Sequence, residues 1–482
     1  MRQKGVTAVT VGIVVVAFVL AAVIVWSLME RPPEEGGEVS EIDFGGVTSA
    51  IAIGHDKIDI EWTPLTPAEN YFYRVYISTT SGAQDFDAPA FSTEFGASSC
   101  RLTGLEAGTT YYIVVRAFPA SGDSVDTNTV EAHTTTETNE GWEVEHVDDS
   151  VDDVGFYTCL KVDSGDNWNI FYTNATENKI WMVGPETAPP YFMPRPFPKS
   201  GMTYRPFVDI TDDDRFELVY YSISDNAFYF AEQTTKDVGV SGSYCNIPQN
   251  DPIAYGRAGL HASLKVDHSG NREIAFYDSE NGDLKYVRIT HDGTVGDVIT
   301  VDSIGDVGQY CSLAIDSTVG LPRISYYDAT NQDLKYAVKM ADGRWTVQTI
   351  DSNGDVGRYS SLAIDSSGVS HVAYYDASAK SLKLATKDGA VWTIENIDDE
   401  GDVGEYCSLA LDSQGNLGIS YYDATNGDLK YASKKSGVWS IQTVVANDDV
   451  GRYSSLDFTS SDGAVISYYD ATRGDLWVAR EI

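Results

Sequence analysis

A repeat in the C-terminal part of the chain constrains its fold more than any other feature. The segment ISYYDATNQDLKYA at 324–337 returns as ISYYDATNGDLKYA at 419–432. Its aromatic-tyrosine core occurs seven times, at intervals of 49, 56, 50, 48, 47 and 47 residues, starting at Phe171, Tyr220, Phe276, Tyr326, Tyr374, Tyr421 and Tyr468. A fixed period of roughly 20–50 residues indicates a repeat architecture in which each copy is one supersecondary unit. Seven stacked units are therefore predicted.

Each unit has the pattern of four short strands. In the clearest copy, polar turns separate strand-forming runs at 361–365, 369–375, 382–385 and 391–397. Four strands per repeat are typical of a β-propeller blade. The last copy ends after its third strand, while a fourth-strand pattern precedes the first copy. We therefore predict a seven-bladed β-propeller over residues 142–482, closed by its N-terminal strand so that no sheet edge stays open.

A membrane-spanning helix is predicted at the start of the chain. Residues 1–5 are basic, and residues 6–28 form a run of 23 residues without charge. As a helix this run spans roughly 34 Å, enough for a hydrocarbon core of about 30 Å. The basic start places the N-terminus in the cytoplasm and the later domains outside the cell. A cleaved secretory signal is the alternative, although the run is long for one.

The junction before the apolar run carries a second possible signal. Lys4-Gly5-Val6-Thr7 resembles the processing site of archaeal type IV pilin-like precursors. That resemblance implies cleavage after Gly5 and retention of the helix as an anchor. It also implies assembly into a surface filament or layer.

A β-sandwich is predicted between the anchor and the repeats. Residues 29–44 form an acidic Pro/Gly linker, and residues 45–136 contain β-branched and aromatic runs separated by turn residues. Trp62 and the stretch LEAGTTY that ends at Tyr111 give this segment its resemblance to a fibronectin type III domain. The resemblance implies a sandwich that spaces and presents its neighbours. Residues 137–141 are a short linker, so the predicted ectodomain is all-β.

Charge and cysteine content exclude some classes of protein. The chain has 72 acidic and 33 basic side chains, a net charge of −39, which opposes binding to nucleic acid and favours cations or basic partners. The five cysteines include no CxxC motif. Cys311 and Cys407 occupy one repeat position two blades apart, farther than the ~7 Å that a disulfide tolerates. We expect them to be small buried residues.

Carboxylates concentrate in the loops before the first strand of each repeat and in the hairpin after the second. Both sets are expected on one face of a propeller. Oxygen ligands around glycine turns are typical of Ca²⁺ sites, and calcium is the candidate cofactor. The alternative is that each Asp caps its own tight turn. The candidate metal ligands are Asp306, Asp351, Asp355, Asp402 and Asp428.

The candidate ligand-binding sector is where the repeat becomes irregular. Asp-Val-Gly precedes five copies but is missing before the second and third, where aromatic and arginine residues replace it. Such residues suit sugar rings or carboxylates, although drift of the repeats is an alternative. The strand aromatics that recur in every copy are expected to pack blade against blade. The candidate binding residues are Tyr191, Arg195, Tyr204, Arg205, Tyr255, Arg257 and His261.

No catalytic motif supports an enzyme. Gly-x-Ser-x-Gly, His-Glu-x-x-His and phosphate-cradling loops are absent, as are the Ser-x-Asp-x-Gly-x-Thr-Trp boxes of sialidase-like propellers. We therefore expect a membrane-anchored surface protein whose propeller binds glycans or proteins, with calcium as a candidate requirement. The alternatives are a hydrolase or lyase acting on polysaccharide, and a subunit of a surface filament or layer.

Overall fold

The computed structural model describes residues 40–41, 44–53, 57–103, 105, 108–120, 124–126, 128–135, 141–148, 153–177, 179–185, 191–192, 206–223, 225–233, 252–446 and 449–482. Among these residues, no helix has the length and apolar character needed to cross a bilayer. The predicted span at 6–28 and the cleavage site after Gly5 lie outside them. The chain divides into two compact units, one including Asp59–Leu102 and Thr110–Thr134, the other consisting mainly of Thr135–Ile482.

The first unit is a two-sheet β-sandwich. The elements are β1 (Ser40–Glu41), β2 (Val47–Ile53), β3 (Lys57–Trp62), a 3₁₀ turn (Ala68–Asn70), β4 (Tyr71–Ser78), β5 (Phe91–Ser92), β6 (Ser99–Leu102), β7 (Thr110–Pro119), β8 (Ser124–Val125) and β9 (Glu131–Thr135). Its sheets have the strand orders β2-β3-β6 and β5-β4-β7-β9, and β1 pairs in parallel with β8. Ile58, Tyr73 and Ile113 are completely buried between the sheets, and the ring centroids of Trp62 and Tyr73 lie 5.1 Å apart.

The second unit is a propeller-like ring of seven four-stranded antiparallel sheets, here called blades 1 to 7. Blade 1 contains β11 (Val154–Val162), β12 (Trp168–Asn174), β13 (Lys179–Val183) and β14 (Tyr191–Phe192). Blade 2 contains β15 (Phe207–Ile210), β16 (Phe216–Ser222), β17 (Ala227–Glu232) and β18 (Ala254–Tyr255). Blade 3 contains β19 (Ala258–Val266), β20 (Arg272–Asp278), β21 (Asp283–Ile289) and β22 (Ile299–Asp302).

The four remaining blades follow the same order along the chain. Blade 4 contains β23 (Val307–Asp316), β24 (Leu321–Asp328), β25 (Asp333–Lys339) and β26 (Trp345–Asp351). Blade 5 contains β27 (Val356–Ile364), β28 (Ser370–Asp376), β29 (Ser381–Asp388) and β30 (Val391–Asp398). Blade 6 contains β31 (Val403–Leu411), β32 (Leu417–Asp423), β33 (Asp428–Lys435) and β34 (Val438–Val445). Blade 7 contains β35 (Val450–Phe458), β36 (Ala464–Asp470), β37 (Asp475–Glu481) and β10 (Trp142–Asp148).

The predicted closure by the N-terminal strand is confirmed. β10 pairs antiparallel with β37, with Val144 opposite Ala479. The inner strands of blades 7 and 1 are also bonded, because the Leu160 N–H donates to Ser455 Oγ at 3.0 Å. The same leucine-to-serine bond joins blades 4 to 3, 5 to 4, 6 to 5 and 7 to 6. The first and last blades are therefore neighbours in a closed ring.

Packing between blades explains why the second strands are apolar almost throughout. Each residue of β16, β32 and β36 is buried, because a blade is covered by a neighbour on both faces. One apolar cluster lies between each pair of neighbouring blades in the described part of the ring. The tyrosines that begin the repeat core are almost fully buried, as predicted. Cys311 and Cys407 are buried as well.

Candidate functional site

A β-bulge in the first strand of five blades turns one tyrosine away from the sheet. In blade 5 the strand pairing is regular except for register shifts between Val356 and Ser361, and Tyr359 lies within the irregular stretch. The backbone φ of the five tyrosines is between 51° and 56°, a left-handed conformation that is unusual for a bulky residue. Bulges are known to redirect side chains. The tyrosines are Tyr157, Tyr310, Tyr359, Tyr406 and Tyr453.

These tyrosines form an aromatic collar around the ring axis, completed by His261 of blade 3. Successive ring centroids lie 4.5 to 4.8 Å apart in the order Tyr157, Tyr453, Tyr406, Tyr359, Tyr310 and His261. Neighbouring ring planes meet at 49° to 63°. That range includes the rotation of about 51° expected between neighbours in a seven-fold ring. The collar therefore follows the symmetry of the blades.

The collar lines a cavity of about 330 Å³ at the end of the ring where the first strands begin. Adjacent collar tyrosines, from Tyr310 through Tyr359, Tyr406 and Tyr453 to Tyr157, lie close enough for each hydroxyl to influence the pKa of the next. Burial raises the pKa of Tyr406, and burial with the nearby Tyr406 raises that of Tyr453 to about 12. The hydroxyls therefore remain protonated near neutral pH and can both donate and accept hydrogen bonds.

The residue before each collar tyrosine differs between neighbouring blades and lies close to the collar, at what we call the rim of this cavity. Arg358 Nη2 lies 2.6 Å from Asp355 Oδ2, and Arg452 Nη2 lies 2.6 Å from Asp449 Oδ2. Glu405 comes from the blade between these two arginines. Burial and the adjacent Asp402 raise the pKa of Glu405, and Arg452 and Arg358 oppose the shift. The rim thus combines guanidinium and carboxylate groups next to the collar tyrosines.

The predicted metal ligands are distributed around the ring, and four of the five accept hydrogen bonds from protein donors. Asp306 accepts from the Tyr277 hydroxyl at 2.6 Å, and Asp351 accepts from the Tyr374 hydroxyl at 2.7 Å. For Asp355, Tyr327 Oη is 2.8 Å from Oδ1.

The other two candidates, Asp402 and Asp428, lie before the first strand and at the start of the third strand of blade 6. Asp402 accepts from Lys380 Nζ at 2.7 Å. Burial and the neighbouring Asp423 raise the pKa of Asp428. In the described part of the chain, no three His, Cys, Asp or Glu side chains are grouped as metal ligands. Calcium binding at these positions stays a prediction.

The loops that carry these carboxylates do emerge on one face, as predicted. The Asp355 N–H donates to Ser378 Oγ at 2.8 Å, and the Asp402 N–H donates to Thr425 Oγ1 at 2.7 Å. Ser378 and Thr425 belong to the hairpins between second and third strands. The acidic loops and hairpins therefore surround the same end of the ring as the collar.

The predicted binding sector contributes one residue to the cavity. The ring of His261 packs against that of Tyr310 in the collar, with centroids 4.6 Å apart and planes tilted by 53°. Tyr255 is 74% exposed in β18, and the Arg257 carbonyl accepts from Ser279 in a turn. Tyr191 lies in β14, where only the backbone is described. Arg195, Tyr204 and Arg205 lie outside the described residues.

Sequence reasoning missed the collar tyrosines because recurrent aromatics were assigned to packing. One signal could have separated them from the packing tyrosines. They follow Asp-Val-Gly by one variable residue, and a glycine next to a strand indicates a bulge or a close backbone approach. The variable position between the glycine and the tyrosine then marks the rim.

The fold and the cavity define the class of this protein. Its described residues form an all-β structure in which a sandwich precedes, in sequence, a propeller-like ring with an aromatic central cavity. Residues 46–133 match the fibronectin type III domain family. The predicted identity of the sandwich is thereby confirmed.

The ring is similar to several solved structures. A Dyadobacter fermentans protein is 10% identical, with a TM-score of 0.46, covering 71% of this chain and 99% of that one. Aleuria aurantia lectin in complex with α-methyl-L-fucoside is 14% identical, with a TM-score of 0.42, covering 61% and 97%. An ulvan lyase bound to saccharide is 12% identical, with a TM-score of 0.45, covering 67% and 94%. No curated protein matches the chain.

Proposed function

We propose that this chain is a cell-surface glycan-binding protein whose ring binds saccharide at the collar. The observation that carries the proposal is a cavity lined by five tyrosines, one histidine and Leu260, in which neighbouring aromatic rings lie 4.5 to 4.8 Å apart. Sugar rings present apolar C–H faces to aromatic groups and hydroxyls to polar ones, and a few convergent polar groups in an aromatic cavity fix ligand orientation.

The rim supplies the polar contacts that such a ligand needs. Guanidinium groups of Arg358 and Arg452 donate to sugar hydroxyl oxygens, and the Glu405 carboxylate accepts from sugar hydroxyls. Because the rim residue changes from blade to blade, the seven-fold symmetry is broken at the mouth of the cavity. An asymmetric ligand can therefore be bound in one orientation.

The remaining parts of the chain suit display of this site at a surface. In this proposal, residues 6–28 anchor the chain in the membrane, and the acidic linker and the sandwich hold the ring away from the bilayer. A surface protein bearing the same glycan is an equivalent partner. Membrane fractionation of the expressed chain, with and without residues 6–28, tests the anchor.

The test is a glycan array probed with the full chain, followed by calorimetry with the best ligand. Tyr406→Phe removes one collar hydroxyl and keeps the ring, so affinity should fall about tenfold for one lost hydrogen bond. Tyr112→Phe in the sandwich is the matched control and should leave affinity unchanged. Absence of binding to any glycan, or equal affinity in both variants, would contradict the proposal.

Glu405 favours one second candidate, an enzyme acting on polysaccharide. A carboxyl group whose pKa is raised by burial, near two arginines and Tyr406, has the properties of a general acid or base. Release of new reducing ends or unsaturated products by wild type, and its loss in Glu405→Gln with saccharide binding retained, would establish the enzyme. If neither the wild type nor Glu405→Gln degrades polysaccharide, the enzyme is excluded for the substrates tested and the binding function is retained.

The calcium requirement and the alternative of assembly into a filament or layer have separate tests. Calcium dependence would require heat on titrating Ca²⁺ into the EDTA-treated chain, lost on replacing Asp351 and Asp355 with Asn. Filament or layer assembly would require a mature N-terminus at Val6, which mass spectrometry of the native protein detects.

A further inference from the structure

One position on the first strand of each blade alternates between acidic and basic side chains in four of the seven blades. The residue after the inner-strand leucine or valine is Asp457 in blade 7, Lys161 in blade 1, Asp209 in blade 2 and Lys265 in blade 3. Lys161 Nζ lies 3.1 Å from Asp209 Oδ1, and Lys265 Nζ lies 3.5 Å from the same oxygen. Acid and base thus alternate over four neighbouring blades.

The alternation stops at blade 4. The same position is Ala314 there, Ala363 in blade 5 and Ala410 in blade 6. These alanines, with Lys161, Lys265 and Asp457, line a cavity of about 650 Å³ near the ends of the inner strands, opposite the collar. One wall of this cavity is therefore charged, and the other is alanine with isoleucine and leucine neighbours.

The two ends of the alternation differ in how well they are neutralised. The Asp457 carboxylate accepts from the backbone N–H of Val162 and of Phe458, each at 3.0 Å. Lys265 has one ion pair among the described residues, to Asp209, and that carboxylate also pairs with Lys161. Asp209 raises the pKa of Lys265, but Lys161 and burial outweigh it, so the pKa is lowered.

Two other basic side chains near this cavity, Arg288 and His268, lie close to acidic partners. Arg288 pairs with Asp267 at 3.1 Å and with Glu273 at 3.3 Å, and His268 lies 3.6 Å from Asp212. Lys265 stands at the end of the alternation, lines the cavity, and belongs to the blade next to the one whose residue at this position is Ala314. If the alternation of charge continued from Lys265 into blade 4, the next side chain would be acidic. Ala314 occupies that position instead and supplies no carboxylate.

We propose that the cavity opposite the collar is a second binding site, for a small carboxylate that carries an apolar body. The carboxylate lies beside Lys265 above Ala314 and continues the alternation of charge. The apolar body lies on the wall of Ala363 and Ala410, where removal from water favours binding. The site is independent of the collar, since it uses the opposite ends of the inner strands.

The experiment is calorimetric titration of sodium hexanoate into the full chain, with hexylamine and hexanol as comparison probes. Hexanoate should bind at one site, and each comparison probe should bind at least tenfold more weakly. Lys265→Met keeps the length of the side chain without its charge and should weaken hexanoate binding at least tenfold. Ala363→Leu fills the apolar wall and should abolish binding while Lys265 is retained.

Lys435→Gln is the matched control, because Lys435 is an exposed lysine on the third strand of blade 6. It should bind hexanoate as the wild type does. If Lys265→Met does not fold, as judged by circular dichroism, the Ala363→Leu result decides. Hexylamine binding as tight as hexanoate, equal hexanoate binding in Ala363→Leu and wild type, or no binding of hexanoate at all would overturn the proposal.

Discussion

At the scale of residues, aspartates in the acidic loops connect one blade to the next. The sequence suggested two other roles for these loops, capping of tight turns and coordination of calcium. The hydroxyls of Tyr326, Tyr374 and Tyr421 each donate to an aspartate that ends the fourth strand of the preceding blade, at 2.7 Å. A buried tyrosine needs a partner for its hydroxyl, and a carboxylate makes a strong one. The repeat therefore couples its tyrosine and its aspartate across the blade interface.

The Tyr374 to Asp351 bond gives a residue-scale prediction. Tyr374→Phe leaves a buried carboxylate with fewer donors, so the free energy of unfolding should fall by about 1.5–3 kcal/mol, the range for hydrogen bonds to charged groups. Tyr229→Phe is the control, because its hydroxyl lies 3.4 Å from Asp225 at a more exposed position. The midpoints of urea unfolding provide the measurement, and equal midpoints for the two variants would contradict the assignment.

At the scale of elements, the glycine of Asp-Val-Gly sets how closely an inner strand approaches the preceding blade. Gly357 has φ of +105°, and a Cβ there would lie 2.8 Å from Leu334 Cα. Gly308, Gly404 and Gly451 have equivalent contacts at 2.8 to 2.9 Å. The glycine thus precedes the bulge and permits the approach that brings the collar tyrosines together.

Gly357→Ala tests this contact. The added methyl group meets backbone, which cannot move without displacing a blade, so we expect destabilisation by about 1–3 kcal/mol from overpacking. Gly343→Ala separates this effect from backbone strain, because Gly343 also has positive φ but has no atom within 4 Å of an added Cβ. Thermal unfolding of the two variants gives the comparison. A Gly343→Ala loss equal to that of Gly357→Ala would show that strain alone matters.

At the scale of the whole molecule, closure of the ring depends on a strand that is distant in sequence. β10 pairs with β37, and Trp142 is 3% exposed, with its Nε1 donating to Gln442 at 3.0 Å. Without β10, the edge of β37 would offer unpaired backbone groups to other chains. We therefore expect the ring to remain a stable monomer only when the two ends of the unit meet.

A truncation pair tests the closure. A chain starting at residue 149 should associate into oligomers and unfold at lower temperature than one starting at residue 137, because only the longer chain retains β10. Light scattering coupled to size exclusion measures the association. Equal mass and equal unfolding temperature for both chains would show that the ring does not need its closing strand.

The sequence predicted architecture better than it predicted the site. The repeat spacing predicted the ring, and the split last repeat predicted its closure. The residues around Trp62 and Tyr111 predicted the fibronectin type III domain. These features could be recognised because they reflect local sequence patterns. Of the candidate site residues, the described structure places only His261 in the collar. The tyrosines beside it were assigned to packing, since a one-residue bulge reverses the direction of a side chain without changing the strand pattern.

What the sequence determined by itself is the number, order and strand content of the repeats, because hydrophobic periodicity and turn residues act over short distances. What only the tertiary structure decided is which repeated positions meet on the ring axis. Tyr406 meets Tyr359 and Tyr453 there, and Lys265 meets Asp209, although these residues are 47 to 56 positions apart. Such contacts depend on closure of the ring and on the twist of each blade, which no local pattern encodes.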